Sequence, residues 1–190
     1  SRVRCAVLVC VLVCWPVLWR PLTDPPCPSH PNSPSSRLAT GPAAPIVSTS
    51  GPPGRSKGAM LRRANLASNA LALTAAWRFS EHDVLLHALP LFHIHGLFVA
   101  INTVMASGSS LLLLPKFDAS EVLAHLRDAT VYMGVPTHYT RLLQQVDLNR
   151  ETTTTIRVFI SGSAPLLPET HRAFLQRTGH LLLERYGMSE

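Results

Sequence analysis

The sequence predicts an α/β fold in which a mainly parallel sheet carries helices on both faces. From Ile46 onward, short apolar runs bounded by turn residues alternate with segments of helical spacing. Strands that alternate with helices form parallel sheets, because each connection has to cross back over the sheet. Ligands bind such sheets at the carboxyl ends of the strands, so the loops that follow the strands are the candidate sites of chemistry.

The first half of this region contains four predicted elements. Apolar residues at helical spacing predict a helix within Leu61 to Trp77. Short apolar runs predict buried strands over Val84 to Leu89 and over Ser110 to Leu114. Asp118 and Glu121 then form an acidic N-cap box, which predicts the start of a helix.

The second half continues the alternation. A strand is predicted over Thr130 to Val135, and a helix begins at Pro136 and continues to Val146, because proline is tolerated in a first helical turn. The next strand is predicted over Ile156 to Ile160. A helix over the letters PETHRAFLQRTG ends at Gly179, and the letters HLLLERYG predict the last strand.

Composition excludes several classes of function. The chain has 190 residues and a formal net charge of +6, but its basic residues are scattered and no basic run interleaves with aromatic residues. We therefore expect no nucleic-acid partner, whereas small anionic molecules fit this charge. All four cysteines lie within residues 5–27. This distribution supports neither a disulfide framework nor a zinc site of the C-x-x-C kind.

Residues 1–45 differ in composition from the remainder. An apolar run from Cys5 to Trp19 is flanked by arginines and followed by a segment rich in proline and serine. The run is typical of a signal-peptide core or a short anchor. It is shorter than the ~20 residues that a full membrane span needs. We expect residues 1–45 to be disordered or extraneous to the fold. A membrane-anchored protein is a hypothesis that rests on this run alone.

Two loops that follow predicted strands contain side chains suited to chemistry. In the first, His93 and His95 lie two apart, which on an extended segment would put them on one face. They lack a third metal ligand nearby, and a pair of histidines that only form hydrogen bonds is the alternative. The second loop, Ser161 to Leu166, has small residues that could accept a flat ring or a phosphate, or could form an ordinary turn.

The last predicted strand leads into Tyr186, Ser189 and Glu190. An aromatic ring, a hydroxyl and a carboxylate in one turn could stack on a base, contact a phosphate and hold Mg²⁺ through oxygen. Each of these residues also has a structural alternative, as a core ring, a cap or a solvated charge.

The stretch Ser48 to Gly58, STSGPPGRSKG, has the small hydroxylated residues, glycines and lysine of a phosphate-holding loop. Pro52 and Pro53 work against that function, because each removes a backbone N–H donor. The spacing does not match the Walker pattern. Taken alone, the stretch is either a phosphate loop or a proline-rich linker.

Five stretches in this order, TSG-x-x-G-R-S-K-G, LPLFHIHG, MGVPTHYTRLL, FISGSAPL and LLERYGMSE, resemble the AMP-forming acyl-CoA synthetases of the adenylate-forming superfamily. The similarity is greatest to the malonyl-CoA synthetase subgroup. It covers residues 46–190, which correspond to the central part of the family's large N-terminal AMP-binding domain, before its C-terminal lid. The resemblance implies a partial domain of this type.

The resemblance also implies a reaction. ATP and Mg²⁺ would convert malonate to malonyl-adenylate with release of pyrophosphate, and CoA would then take the malonyl group as AMP leaves. We expect the 190-residue chain to be inactive alone, because the lid and its lysine are missing. The alternatives are a synthetase for another carboxylic acid and a non-catalytic remnant that binds adenine nucleotides. The expected location is the cytoplasm, with a mitochondrion or another organelle as the alternative.

Roles for individual residues follow from the same resemblance. The phosphate loop would comprise Thr49, Ser50, Gly51, Gly54 and Lys57. The nucleotide would also contact Gly162, Ser163, Ala164, Tyr186, Gly187 and Ser189. The acyl substrate would contact His93, Arg141 and Ser161, with Arg141 holding the second carboxylate of malonate. Catalytic roles would fall to Lys57, His93 and Glu190, and Glu190 would bind the metal.

The chain departs from the family pattern at two places in these motifs. Pro52 and Pro53 stand where the family has two threonines, and at roughly 1 kcal/mol or more for each lost hydrogen bond to a charged group the hold on phosphate should weaken. Ser189 replaces a threonine but keeps the hydroxyl. Arg141 has the alternative of being a surface residue on its helix.

Overall fold

The computed structural model describes residues 46–49 and 57–187, which fall into two compact units with their boundary between Ser68 and Asn69. The first unit contains an antiparallel hairpin of strand β1, Ile46–Thr49, and strand β2, Lys57–Met60. In its register Ile46 is opposite Met60 and Thr49 is opposite Lys57. Helix α1, Arg63–Ala76, begins in the first unit and ends in the second.

The second unit is built on a five-stranded parallel sheet, which confirms the predicted fold class. Its strands, in the spatial order β4-β3-β5-β6-β7, are β3 Val84–His87, β4 Ser110–Leu113, β5 Val131–Gly134, β6 Val158–Gly162 and β7 Leu182–Arg185. A π-helix, His95–Ile101, leads into α2, Asn102–Ser107. The other helices are α3 Ala119–His125, a 3-10 turn Leu126–Asp128, α4 Pro136–Leu142 and α5 Pro168–Thr178.

Helices cover both faces of this sheet, because successive strand residues point to opposite faces and both sets are apolar. On one face, four aromatic residues from β5, α4, β6 and α5 pack edge to face with ring centroids 4.9–6.4 Å apart: Tyr132, Tyr139, Phe159 and Phe174. On the other face, Trp77 and Phe79 pack with Val99 and Val104 of the π-helix and α2. Two separate apolar cores therefore hold the sheet between them.

The helical segment from His95 to Ser107 was not predicted from the sequence. It is apolar nearly all round, and that pattern does not identify a helix by amphipathic spacing. A signal was present nonetheless, since the buried residues Gly96, Ala100 and Val104 recur at intervals of four. The glycine is required, because a Cβ at residue 96 would lie 2.3 Å from the Pro90 carbonyl oxygen.

Helix α4 ends at Leu142, four residues before the predicted end at Val146. The guanidinium of Arg177, on α5, donates hydrogen bonds to the carbonyl oxygens of Leu143, Gln145, Val146 and Leu148 at 2.6–2.9 Å. These carbonyls therefore turn toward a cation instead of continuing the helix. Arg177 lies 29–34 residues from these carbonyls in the sequence, so a local pattern cannot reveal where the helix ends.

An ion pair ties together the amino ends of three strands. Arg157, just before β6, donates from Nε and Nη2 to the two carboxylate oxygens of Asp83, just before β3, at 2.7 and 2.8 Å. Thr130, just before β5, donates its hydroxyl to the same carboxylate at 2.7 Å. Asp83 is only 4% exposed, so both of its oxygens are satisfied within the protein.

The pKa of Asp83 reflects these bonds. Burial alone would raise it, but the hydrogen bonds from Arg157, Thr130 and the Ser80 backbone outweigh burial. The pKa falls from its ordinary 3.8 to about 2. The ionised form is therefore favoured by folding.

Within the described residues, no helix combines the length and the apolar character needed to cross a membrane.

We predict that Asp83→Asn lowers the free energy of unfolding by about 3 kcal/mol, because it leaves the Arg157 guanidinium without its buried counter-ion. Urea denaturation followed by circular dichroism would measure this change. Asp147→Asn is the matched control, since Asp147 is exposed and its carboxylate forms no hydrogen bond or ion pair within the described residues. Equal stability of the two variants would contradict the role given to Asp83.

We also predict an acid dependence. Because the pKa of Asp83 is lower in the folded chain, the unfolded chain binds this proton more readily, and the stabilisation is complete only above about pH 4. It is lost as the pH falls through about 2. The stability difference between wild type and Asp83→Asn should therefore shrink by about 2 kcal/mol between pH 5 and pH 2. Urea titrations at each pH measure it, and a constant difference would contradict the lowered pKa.

Candidate functional site

Three buried histidines lie near the carboxyl edge of the parallel sheet. His87 is the last residue of β3, His95 is the first residue of the π-helix, and His138 lies in the first turn of α4. Burial lowers the pKa of each ring to about 4, and the charge of Arg185 adds to this effect at His95. All three are therefore neutral at pH 7 and offer hydrogen bonds without charge.

His95 reaches across the edge to the loop after β6. Its Nδ1 lies 3.0 Å from the hydroxyl oxygen of Ser163, and Ser163 has the left-handed φ of 70°. The predicted small-residue loop starts later than expected, because Ser161 and Gly162 belong to β6 and pair with Gly134 and Arg185. Only Ser163 to Leu166 form the turn itself.

Gly162 allows the two sides of this arrangement to approach. A Cβ at this position would lie 3.1 Å from Cε1 of His95 and 3.3 Å from Nη1 of Arg185. Both contacts are tighter than ordinary van der Waals distance, so a side chain here would displace one of the two groups. The resemblance assigned Gly162 a close approach to the nucleotide, and the structure adds that it is packed between an imidazole and a guanidinium.

The expectation that His93 and His95 share one face of an extended segment is wrong. Residues 91–93 form a turn, and the helical segment begins at Ile94. His93 is exposed and its ring lies 4.5 Å from that of Phe92, whereas His95 is buried. In the part of the chain that the structure describes, no three His, Cys, Asp or Glu side chains are grouped to hold a metal ion.

His138 is held on the other face of the sheet. Its Nδ1 lies 3.0 Å from the hydroxyl of Tyr132, and its ring stacks on Phe117 at 3.8 Å with the planes 10° apart. Nearby Ser161 is fully buried, and its hydroxyl has no hydrogen-bond partner among residues 57–187. A buried hydroxyl without a partner is uncommon in proteins and marks a place for a further polar group.

Arg185, the last residue of β7, is the functional candidate that sequence reasoning missed. It is half-buried, and burial lowers its pKa. Its guanidinium makes no hydrogen bond or ion pair with any other described residue. The signal in the sequence was an arginine near the end of the last predicted strand, beside the aromatic Tyr186.

Arg141 lies on α4 and lines an open depression with Phe117, Asp118 and Ser120. The Asp118 carboxylate in this depression caps α3 by accepting from the Ser120 and Glu121 backbone N–H groups at 3.0 Å. Arg141 therefore shares its surroundings with a negative charge. This depression is not lined by His95, Gly162 or Arg185.

The remaining predicted residues are distributed as follows. Ala164 and Gly187 are exposed, and Tyr186 is 88% exposed next to the edge of β7. The backbones of Thr49 and Lys57 pair in the hairpin of the first unit. Five predicted residues lie outside the described part of the chain: Ser50, Gly51, Gly54, Ser189 and Glu190.

Comparison with known proteins identifies the family of the chain. The AMP-binding enzyme family matches residues 11–190. A mitochondrial malonate–CoA ligase from mouse is 36% identical over 161 residues, which are 76% of this chain and 28% of that protein. The ATP-bound crystal structure of MatB from Rhodopseudomonas palustris superimposes with a TM-score of 0.74 at 59% identity, covering 76% of this chain and 29% of that one.

A second solved structure, a malonyl-CoA ligase in a ternary product complex with methylmalonyl-CoA and AMP, has a TM-score of 0.72 at 38% identity and covers 76% of this chain and 32% of that one. The chain spans less than a third of the length of each of these relatives. The family match nevertheless extends over nearly the whole chain, and the parallel sheet superimposes on solved members, so the chain belongs to the AMP-binding enzyme family.

Proposed function

We propose that this chain supplies the AMP-binding part of an acyl-CoA synthetase that activates malonate with ATP and transfers the malonyl group to CoA. The observation that carries the proposal is the half-buried guanidinium of Arg185 at the carboxyl edge of the sheet, without a counter-ion among the described residues. Buried charges in proteins are normally paired, so this cation suits an anionic ligand. The named activity of the mouse relative supports malonate as that ligand.

The proposed chemistry explains why a fixed cation is needed. In the first step a malonate carboxylate oxygen attacks the α-phosphorus of ATP, and pyrophosphate leaves. In the second step the CoA sulfur attacks the acyl carbon, and AMP leaves. Both reactants of the first step are anions, so the site has to offset their repulsion and hold them in line. Malonate carries a second carboxylate, which Arg185 would bind while the first one reacts.

Neutral groups complete the acyl side of the proposed site. His138 and Ser161 offer a buried imidazole and a buried hydroxyl on one face of β6. Neither adds a charge that would compete with the guanidinium for the substrate. His93 is proposed to border the acyl-binding region from the exposed turn before the π-helix, as the resemblance implies.

On the nucleotide side, Gly162, Ser163 and Ala164 are proposed to line the adenine, and Tyr186 to stack on it. The exposure of Tyr186 supports this role, since its ring has a free face. Thr49, Ser50, Gly51, Gly54 and Lys57 are proposed to hold phosphates, and Gly187 and Ser189 to approach the α-phosphate. Magnesium would enter with ATP as substrate, and Glu190 is its proposed ligand, because carboxylate oxygens suit this ion.

A second candidate function is a non-catalytic module that binds adenine nucleotides. Pro52 and Pro53 favour it, because they remove two N–H donors and two hydroxyls from the proposed phosphate loop. A synthetase for another carboxylic acid is the remaining alternative. We propose a cytoplasmic or mitochondrial location, the latter supported by the mitochondrial relatives from mouse and human.

A chimera with a known malonate–CoA ligase tests the proposed activity directly. The matched segment of the mouse malonate–CoA ligase is replaced by residues 46–190 of this chain, and pyrophosphate release is measured with ATP, CoA and malonate. We expect malonate-dependent release that exceeds the release with acetate. A second chimera that restores threonine at positions 52 and 53 is the matched control for the phosphate loop.

The outcomes separate the candidate functions. Release only from the threonine-restored chimera would favour the non-catalytic module. Release with acetate but not malonate would contradict the proposed substrate. No release from either chimera would contradict the proposed activity of this segment.

We predict that the two candidate arginines differ in importance. In the active chimera, Arg185→Gln should raise the KM for malonate about 10- to 100-fold, the equivalent of one charge-assisted contact, and leave the KM for ATP nearly unchanged. Arg141→Gln should have the smaller effect, because Arg141 is exposed and lines an open depression that also contains the Asp118 carboxylate.

Arg172→Gln is the matched control, since Arg172 is an exposed arginine on α5. If Arg141→Gln raises the KM for malonate and Arg185→Gln does not, the original assignment of Arg141 is correct and the role of Arg185 is refuted. If neither variant affects malonate, both assignments are wrong.

A further inference from the structure

We propose that His95 is a positioning residue for the nucleotide: through its hydrogen bond to Ser163 it fixes the conformation of the turn Ser163 to Leu166. The functional part of this inference rests on the proposed function, in which the turn lines the adenine. The bond joins two residues 68 positions apart, so it connects the start of the π-helix to the end of β6.

The conformation of Ser163 needs a cause. Its φ of 70° lies in the left-handed region, which residues other than glycine adopt at a cost. Its side chain makes one hydrogen bond within the described residues, the bond to Nδ1 of His95 at 3.0 Å. The hydrogen bond to His95 is therefore the contact that favours the left-handed conformation of Ser163.

His95 is itself held where it can act in this way. The ring is 5% exposed, and Gly162 packs against its Cε1 edge. Its other nitrogen, Nε2, is buried and has no partner among the described residues. Within the described residues the bond to Ser163 is thus the only hydrogen bond of a buried imidazole, and breaking it would leave both ring nitrogens without a partner there. Burial also keeps the ring neutral, since its pKa is lowered to about 4.

A hydrogen bond connects the turn to β7. The backbone N–H of Leu166, at the end of the turn, donates to the Glu184 carboxylate at 3.0 Å. If Ser163 leaves the left-handed region, the direction of the following residues changes and this bond breaks. The Leu166 amide is therefore a reporter of the turn that lies away from both His95 and Ser163.

Three single variants of this chain and one double variant, which combines His95→Phe with Ser163→Ala, test the inference by amide hydrogen exchange. His95→Phe keeps a ring but removes the nitrogen, Ser163→Ala removes the hydroxyl, and His95→Asn replaces the ring by an amide that can occupy the Nδ1 position. We expect the first two to speed exchange at Leu166 about tenfold, the effect of losing one hydrogen bond, and the double variant to be no faster than either single one. His95→Asn should restore most of the protection.

Two controls separate positioning from general destabilisation. The Thr130 amide, bonded to the Val84 carbonyl at 2.9 Å within the sheet, should keep its exchange rate in every variant. His82→Phe changes an exposed histidine and should leave Leu166 unaffected. Unchanged exchange at Leu166 in Ser163→Ala would overturn the inference. Equal acceleration at Leu166 and Thr130 would also overturn it, because His95 would then be a general core residue.

Calorimetric titration with ATP supplies the functional readout. We expect His95→Phe to weaken ATP binding about tenfold, with recovery in His95→Asn. If the wild-type chain binds no ATP, the proposed function fails for this chain, while the exchange rates still decide whether His95 fixes the turn. If ATP binds equally to wild type and to His95→Phe, the positioning role toward the nucleotide is refuted.

Discussion

The ion pair between Asp83 and Arg157 determines where the strands of the sheet begin. Together with Thr130 it fixes the amino ends of β3, β5 and β6 at one carboxylate. Each strand residue advances the chain by about 3.3 Å, so the length of a strand then sets how far it extends toward the carboxyl edge. β6 has one residue more than β3 and β5, so Gly162 extends to the edge where His95 and Arg185 lie.

The alternation of strand side chains then separates two environments at the same edge. Ser161 points to the face that carries His138, whereas Gly162 faces His95 and Arg185. A substrate that reaches the edge can therefore meet different groups on the two faces of one strand. Gly162 is the point at which they differ, because the lack of a side chain admits an imidazole and a guanidinium together.

The sequence predicts the alternating order and the parallel sheet, because buried strands and helix caps leave local signals such as Asp118 and Gly179. Prediction from the sequence is wrong where a contact with a residue distant in the sequence determines the bounds or the type of an element. Arg177 binds the carbonyls of the residues that follow helix α4, and the π-helix contains a glycine that packs on Pro90. The family motifs point to the turn after β6, but they give no indication of the bond between His95 and Ser163, since that contact exists only in the folded chain.

The choice between the two arginines is a question of what already surrounds each cation. Arg141 lines an open depression together with the Asp118 carboxylate, so a malonate carboxylate there would meet a like charge and full solvent screening. Arg185 is half-buried beside a neutral imidazole, and no carboxylate among the described residues pairs with it. The same charge attracts an anion more strongly where water is scarce and the cation is unpaired. Burial keeps His87, His95 and His138 neutral, so none of the three rings adds a positive charge beside either arginine, and the comparison depends on the surroundings of the two guanidinium groups alone.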